Sequence, residues 1–143
     1  MLLPLLAATV SIYGQNPIDE VNPFVGTTNY GTTSPGAVTP NGMMSVVPFN
    51  VMGSDLNRYD KDNRWWSAPY EYSDTYFTGF AHVSLSGVGC PEAGALLVMP
   101  TTGALNVDYA HYGSTYASEI ATPGYYSNRL TKYDIKCEVT ATP

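Results

Sequence analysis

The sequence predicts an all-β fold, an antiparallel β-sandwich assembled from short strands. Twelve Tyr residues and frequent Thr favour extended backbone, and 13 Gly with 11 Pro supply tight turns between strands. No long segment repeats its apolar residues with the helical period of about 3.6 residues. Short strands separated by turn residues are typical of sandwiches and barrels.

The size and charge of the chain exclude several other classes. Its 143 residues match one domain, and a charged fraction of 13% is too low for a coiled coil or a charged disordered tail. The net charge of -6 disfavours nucleic acid or an anionic membrane surface as the main partner, because phosphate neutralisation needs Lys and Arg.

The first 15 residues have the character of a signal peptide. Residues 1–11 are apolar and uncharged, about the length of a signal-peptide core, and too short to span a bilayer. The sequence therefore predicts export to the periplasm or the cell exterior, no membrane span, and a mature domain over residues 16–143. No basic residue precedes Leu2, which indicates a start further upstream or an internal start at Met1; a buried N-terminal strand or helix is the alternative.

Four elements are predicted in the first part of the chain. Residues 22–41, rich in Gly, Thr, Asn and Pro, cannot hold a helix and form a long ordered loop. Residues 43–49 form a strand, and residues 53–64 form a polar loop. Residues 76–85 form a strong strand of β-branched and aromatic residues, in which Gly79 marks a bulge or a close backbone approach.

The rest of the chain adds a turn and further strands. Residues 87–91 form a turn that no regular element crosses, and residues 94–99 form an apolar strand buried on both faces. Residues 114–120 form another strand. Residues 124–132 and 135–142 form a hairpin around a two-residue loop, and the second arm alternates apolar with polar residues. The apolar face of that arm consists of Ile135, Cys137 and Val139.

The residues that could bind metal form no convincing set. Cys90 and Cys137 allow either one disulfide or two buried thiols, and the two His residues are not at close ligand spacing. An oxygen-rich loop is a calcium candidate, but counting from Asp60 places Trp65 where an EF-hand loop needs Gly, so a solvated polar loop is favoured. The oxygen-bearing residues of that loop are Asp55, Asp60, Asp62 and Asn63.

The aromatic residues that follow this loop point to carbohydrate. Trp65 and Trp66 stand in a loop rather than on a strand, with Tyr70 and Tyr72 close behind. Sugars present apolar C–H faces that stack on aromatic rings, and Trp offers the largest such surface. We expect one Trp of the pair to pack inward and treat the other as a ligand contact.

A glycine-rich segment after His82 is the other candidate site. The surroundings of Ser86 match neither the G-x-S-x-G nucleophile elbow nor a P-loop, whereas Gly87 and Gly89 allow the backbone to approach a ligand closely. Cys90 has no neighbouring base that would support a thiolate nucleophile. A lone His on a strand is more often structural than catalytic.

Carboxylates are the remaining candidates for chemistry, because glycosidases work with a pair of them. The candidates are Glu71, Asp74, Glu92 and Glu119. Their spacing in the sequence does not identify any two of them as an acid and base pair. The residues alone therefore indicate an exported, Tyr-rich β-sandwich that contacts carbohydrate, and they determine no reaction.

A series of motifs resembles the opening of the glycoside hydrolase family 92 α-mannosidases. In chain order they are Val-Asn-Pro-Phe-Val-Gly (residues 21–26), Ser-Pro-Gly-Ala (34–37), Pro-Asn-Gly-Met (40–43), Tyr-Glu-Tyr-Ser-Asp (70–74), Gly-Phe-Ala-His (79–82), Leu-Ser-Gly-Val-Gly-Cys (85–90), Ala-Thr-Pro-Gly-Tyr-Tyr (121–126) and Ile-Lys-Cys-Glu-Val-Thr-Ala-Thr (135–142). No single motif is decisive, but the ordered set is specific.

The resemblance implies an exported, calcium-dependent, inverting α-mannosidase that trims mannose from N-glycans or yeast mannan. Such enzymes, common in gut bacteria, pack an N-terminal β-sandwich on a larger (α/α)6 barrel that supplies the catalytic acid and base and most ligands of Ca²⁺. On this resemblance, residues 16–143 are part of the sandwich, hold no catalytic residue or metal site, and have the barrel of the same protein as a partner. We expect this chain alone to lack mannosidase activity.

The resemblance also implies roles for both candidate sites. Trp65 or Trp66 would contribute to the subsite of the leaving sugar, and residues 86–90 match a Leu-Ser-Gly-x-Gly loop near the pocket. Residues 31–36 and Ser84 depart from the family's common pattern, which leaves linkage specificity open. The predicted substrate-binding residues are Trp65, Trp66, His82, Ser86, Gly87, Gly89 and Cys90.

Two other interpretations stay open from the sequence. A free-standing, non-catalytic carbohydrate-binding sandwich would use the same Trp pair without any catalysis. A purely structural β-domain would use neither candidate site.

Overall fold

A computed structural model describes residues 16–28, 32–42, 44–57, 68–84, 96–108 and 110–142. These residues form two four-stranded antiparallel sheets, and their helical structure consists of one short 3-10 turn, Pro17–Glu20. The predicted all-β sandwich class is confirmed.

The eight strands divide evenly between the sheets. They are β1 (Ala37–Val38), β2 (Ser45–Phe49), β3 (Tyr76–Phe77), β4 (Gly79–His82), β5 (Leu96–Val98), β6 (Ser114–Thr122), β7 (Tyr125–Leu130) and β8 (Ile135–Thr140). One sheet has the order β1-β2-β4-β5 and the other has the order β3-β6-β7-β8. The edge strands of the described sheets are therefore β1, β5, β3 and β8.

The prediction of one continuous strand over residues 76–85 is wrong, because the chain changes sheets inside it. Phe77 ends β3 in one sheet and Gly79 begins β4 in the other. Between them, the buried Thr78 hydroxyl donates to the carbonyl oxygens of Phe49 and Met52, both at 3.1 Å. The close approach predicted at Gly79 is present, since a Cβ there would lie 2.8 Å from a Leu97 methyl.

The main core lies between the two sheets at this crossing. Its buried members are Phe77, Phe80, Tyr126, Leu130 and Cys137. The rings of Phe77 and Phe80 meet edge to face with centroids 4.8 Å apart, the arrangement that aromatic quadrupoles favour. Phe77, before the chain crosses between the sheets, and Phe80, after it crosses, therefore pack into the same core.

The predicted C-terminal hairpin is present, but its loop is longer than the two residues expected. Leu130 and Ile135 form the last cross-strand pair, so residues 131–134 make the connection. Thr131 is held instead by β6, because its N–H and hydroxyl both donate to the Thr115 carbonyl oxygen at 2.9 Å. The alternation of β8 is confirmed, with Cys137 buried between exposed neighbours.

The prediction that residues 94–99 form a strand buried on both faces is wrong. The described part of this segment is β5, whose residues Leu96, Leu97 and Val98 are 59%, 40% and 43% exposed. β5 pairs with β4 on one side and has no described neighbour on the other. An apolar run can lie at a sheet edge as well as in a sheet centre, and composition alone does not separate the two cases.

No helix in the described segments is long and apolar enough to cross a membrane. The predicted signal peptide, residues 1–15, lies outside the described residues, and it stays a prediction.

Candidate functional site

A groove of about 530 Å³ opens where β8 faces β2, β4 and β5. Its apolar lining includes Val46, Phe80 and Val98. Lys136 and Glu138, which form an ion pair at 3.0 Å, belong to its polar lining. The groove is therefore an opening in the side of the core, with polar groups placed over an apolar surface.

His82 lines this groove and is the one predicted site residue that the structure describes. It ends β4, where it pairs with Val46 on β2 and Leu96 on β5. Its Nδ1 lies 3.3 Å from the Leu96 carbonyl oxygen. When Nδ1 carries the proton for that bond, Nε2 is an acceptor that can bind a hydroxyl group.

The other predicted site residues lie outside the described residues. They are Trp65, Trp66, Ser86, Gly87, Gly89 and Cys90. The described residues that flank the segment 85–95 are Ser84, which follows β4, and Leu96, which begins β5 opposite His82. Of these two, Leu96 contacts the imidazole, through its carbonyl oxygen.

The segment 58–67 carries both tryptophans, and the described residues Asn57 and Pro69 on either side of it are hydrogen-bonded to Asn50. The Asn57 side chain donates to the Asn50 carbonyl oxygen at 2.7 Å, and the Asn50 N–H donates to the Pro69 carbonyl oxygen at 3.0 Å. The Asn50 amide also accepts from the Glu71 N–H at 2.8 Å and donates to the Tyr116 hydroxyl at 2.8 Å. We call Asn50 with these four partners the Asn50 clamp.

Sequence reasoning missed the Asn50 clamp because its signal is weak. Asn50 follows a strand, where Asn is usually a turn residue, and nothing local shows that it is fully buried. A buried polar side chain must find partners in the folded structure. Those partners come from distant parts of the chain, so they emerge only in three dimensions.

Two of the carboxylates predicted as acid or base candidates are buried. Glu71 is 1% exposed, and its Oε1 accepts from the hydroxyls of Thr28 at 2.8 Å and Ser73 at 3.0 Å. Asp74 is 7% exposed, and its backbone oxygen accepts from the Tyr116 hydroxyl at 2.8 Å. Glu71 therefore fastens the turn that it begins, and neither side chain faces solvent as a glycosidase acid or base would.

Glu119 lies at an irregularity in β6. The pairing with β7 shifts register between Ala117 and Ile120, and Ser118 has a left-handed φ of 53°. This bulge turns the Glu119 carboxylate inward, where it accepts from the hydroxyls of Tyr70 at 2.9 Å and Tyr126 at 2.6 Å.

Burial raises the pKa of Glu119, and the two tyrosine hydrogen bonds oppose that shift. Burial also raises the pKa of the Tyr70 and Tyr126 hydroxyls, which therefore stay protonated donors. Both carboxylate oxygens of Glu119 are engaged, so its present role is to join β6 to β7 and to Tyr70. The fourth candidate, Glu92, lies outside the described residues.

Metal-binding groups are sparse in the part of the chain that the structure describes. Those residues contain no group of three or more His, Cys, Asp or Glu side chains that could hold a metal ion. In the oxygen-rich loop, Asp55 is exposed, and Asp60, Asp62 and Asn63 are not described. Cys137 is a buried free thiol, and burial raises its pKa; Cys90 is outside the described segments.

Comparisons with known proteins agree on one family. The family described as "Glycosyl hydrolase family 92 N-terminal domain" matches residues 20–143. No curated protein matches the chain.

The fold is similar to solved structures of this family. The family GH92 alpha-mannosidase BT3965 from Bacteroides thetaiotaomicron is 32% identical with a TM-score of 0.73, over 87% of this chain. The same enzyme in complex with mannoimidazole is 34% identical with a TM-score of 0.72, over 87% of this chain. The GH92 family glycosyl hydrolase ccman5 is 27% identical with a TM-score of 0.65, over 89% of this chain. The chain spans 17%, 16% and 18% of the length of these three structures.

Proposed function

Because the chain belongs to glycosyl hydrolase family 92, as that family's N-terminal domain, we propose that the protein carrying it is an α-mannosidase. In this proposal the domain supplies substrate-contacting loops, and a further domain of the same protein supplies the chemistry. The observation that carries it is the 32% identity to a family α-mannosidase over 87% of this chain. The proposed substrates are α-mannosides of N-glycans or mannan.

The first proposed contact is His82 with the segment that follows it. His82 lines an open groove, and Leu96, the first described residue after the segment 85–95, pairs with it across the sheet. Gly87 and Gly89 in that segment allow the backbone to approach a sugar closely. Ser86 and Cys90 would complete this side of the pocket, and imidazole nitrogens would bind sugar hydroxyls.

The second proposed contact is the tryptophan pair. Trp65 or Trp66 would stack on the apolar face of the leaving sugar, as large aromatic rings do with C–H surfaces. Support comes from the Asn50 clamp, which bonds to the residues on both sides of the segment 58–67. A recognition loop is most effective when its ends are fixed before the ligand binds.

The proposed reaction is hydrolysis with inversion. One carboxylic acid protonates the leaving oxygen while a second carboxylate activates water about 6.5–9.5 Å away. Glu71 and Asp74 are buried, and both oxygens of Glu119 are engaged by tyrosines. The resemblance to family 92 implies that the acid and base come from an (α/α)6 barrel of the same protein, and we propose that barrel as the domain's partner.

Calcium is proposed as a cofactor of the whole enzyme, bound mainly by the barrel. The described residues of this domain do not fit a calcium site, since they contain no suitable group of three or more ligands. Residues 1–15 are proposed to direct the protein to the periplasm or the cell exterior.

The test compares the intact protein with this chain alone on an aryl α-mannoside. We expect release of the aryl group by the intact protein and none by the chain. Turnover by the isolated chain would refute the division of labour. Binding of mannosides by an intact protein that never cleaves them would favour a non-catalytic carbohydrate-binding sandwich.

The His82 contact is tested in the intact protein with His82→Ala. We expect a higher KM for the aryl α-mannoside, because a hydrogen-bond partner of the sugar is lost. Unchanged kinetics would remove His82 from the site.

A further inference from the structure

Tyr72 differs from every other Phe and Tyr side chain that the structure describes. It is 57% exposed, whereas the others are buried or half-buried. Leaving an aromatic ring in water forgoes the free energy that its burial would contribute. An exposed ring that is also fixed in position is therefore a candidate for contact with a ligand.

The position of the Tyr72 ring is fixed by contacts with residues 24–28. The Phe24 ring meets it edge to face with centroids 5.5 Å apart. The Tyr72 N–H donates to the Thr27 carbonyl oxygen at 2.9 Å, and the preceding Glu71 carboxylate accepts from Thr28. These contacts hold the backbone and one edge of the ring, and they leave much of its surface uncovered.

Tyr72 separates two hollows in the surface and lines both of them. The first, of about 290 Å³, is lined by Tyr72, Asp74, Thr75, Tyr116, Ala117, Ser118 and Glu119. The second, of about 310 Å³, is lined by Asn22, Phe24, Val25, Thr27, Thr28 and Tyr72. Each is near the lower end of the range of about 300–1,000 Å³ that is usual for small-molecule sites.

The lining groups have the chemistry of a site for a neutral sugar. The lining of the first hollow includes the hydroxyl-bearing residues Thr75 and Ser118, and that of the second includes Thr27, Thr28 and the amide of Asn22. Such groups exchange hydrogen bonds with sugar hydroxyls, while an aromatic ring packs on a C–H face. No Lys or Arg is among the described residues that line either hollow, so an anionic ligand would find no opposite charge there.

The β6 bulge adds a local reason why the first hollow exists. Ser118 takes a left-handed φ of 53°, which is uncommon outside Gly and Asn. Bulges re-aim side chains and are common beside binding sites. Here the bulge places Ser118 in the wall of the hollow, while the Glu119 carboxylate stays bonded to Tyr70 and Tyr126.

We infer that Tyr72 and the two hollows form a second carbohydrate-binding surface, with one sugar ring packed on Tyr72 and its neighbours in the hollows. The surface shares no lining residue with the groove at His82. It therefore offers a neutral oligosaccharide a contact in addition to the groove at His82. The identity of that sugar as mannose rests on the proposed function.

The experiment is affinity electrophoresis of the intact protein in gels that contain yeast mannan. Tyr72→Ala should weaken retardation, with a dissociation constant between about twofold and tenfold higher, because one aromatic packing surface is lost. Tyr72→Phe should retain wild-type retardation, because it keeps the ring. Tyr112→Ala is the matched control, since Tyr112 is half-buried and lines neither hollow.

Tyr72→Leu serves as a second variant, because it keeps an apolar contact for Phe24 but lacks a flat aromatic face. Weaker retardation of the Ala and Leu variants alone supports the inference. Wild-type retardation of both variants overturns it, as does an equal loss in Tyr112→Ala or Tyr72→Phe.

Wild-type activity on an aryl α-mannoside is measured in parallel. If the wild-type protein has no activity on the aryl α-mannoside while Tyr72→Ala weakens mannan binding, the proposed function is refuted and the carbohydrate-binding surface is supported. If the wild-type protein is active while Tyr72→Ala leaves mannan binding unchanged, the carbohydrate-binding surface is refuted and the proposed function is supported.

Discussion

Replacing Asn50 with Ala tests the side-chain hydrogen bonds of the Asn50 clamp. The side chain makes three short hydrogen bonds: to the Glu71 carbonyl oxygen at 2.9 Å, to the Tyr116 hydroxyl at 2.8 Å, and from the Glu71 N–H at 2.8 Å. Each contributes about 0.5–1.5 kcal/mol net, and the partners left behind are buried. The expected loss in free energy of unfolding is about 3 kcal/mol, a large share of the usual total of about 5–15 kcal/mol.

The assay is urea unfolding of this chain, followed by far-UV circular dichroism. Asn106→Ala is the matched control, because Asn106 is exposed and its side chain makes only a local bond to the Asp108 N–H, at 2.9 Å. We expect the control to change stability by less than about 0.5 kcal/mol. A loss below about 1 kcal/mol for Asn50→Ala would refute the argument that buried hydrogen bonds hold this region together.

Three further predictions concern other parts of the molecule. Burial raises the pKa of Glu119 above its ordinary value, so the folded state binds its proton more tightly than the unfolded state. Stability should therefore fall as pH rises from the ordinary Glu pKa through the raised one, and urea unfolding across pH should show that this fall is missing in Glu119→Gln. Gly79→Ala should lower stability by about 1–3 kcal/mol in the same assay, because a Cβ would lie 2.8 Å from a Leu97 methyl and φ is 152°; an unchanged midpoint would contradict the close approach. Replacing Trp65 and Trp66 with Ala in the intact protein should weaken mannoside binding by titration calorimetry, and an unchanged affinity would remove both from the site.

The parts of the fold that depend on local pattern were predictable from sequence. The alternation in β8 fixes which residues face inward, and Cys137 is buried as expected. The hairpin of β7 and β8 follows from two strand patterns separated by a short break. In both cases neighbouring residues carry enough information, because side chains on a strand alternate with a period of two.

Features set by distant contacts were not predictable. The change of sheet at Thr78 depends on carbonyl oxygens of Phe49 and Met52. The exposure of β5 depends on its place at a sheet edge, which no local pattern encodes. For the same reason, sequence reasoning named His82 and Glu119 but did not find the partners that surround Glu119.

We propose that the intact protein is an inverting α-mannosidase with this domain at its N-terminal side. Proton NMR of the intact protein acting on an α-mannoside tests it most directly, by identifying the first anomer of free mannose. Inversion at the anomeric carbon of an α-mannoside should release β-mannose first, which then mutarotates. Release of α-mannose first, or no release of mannose at all, would contradict it.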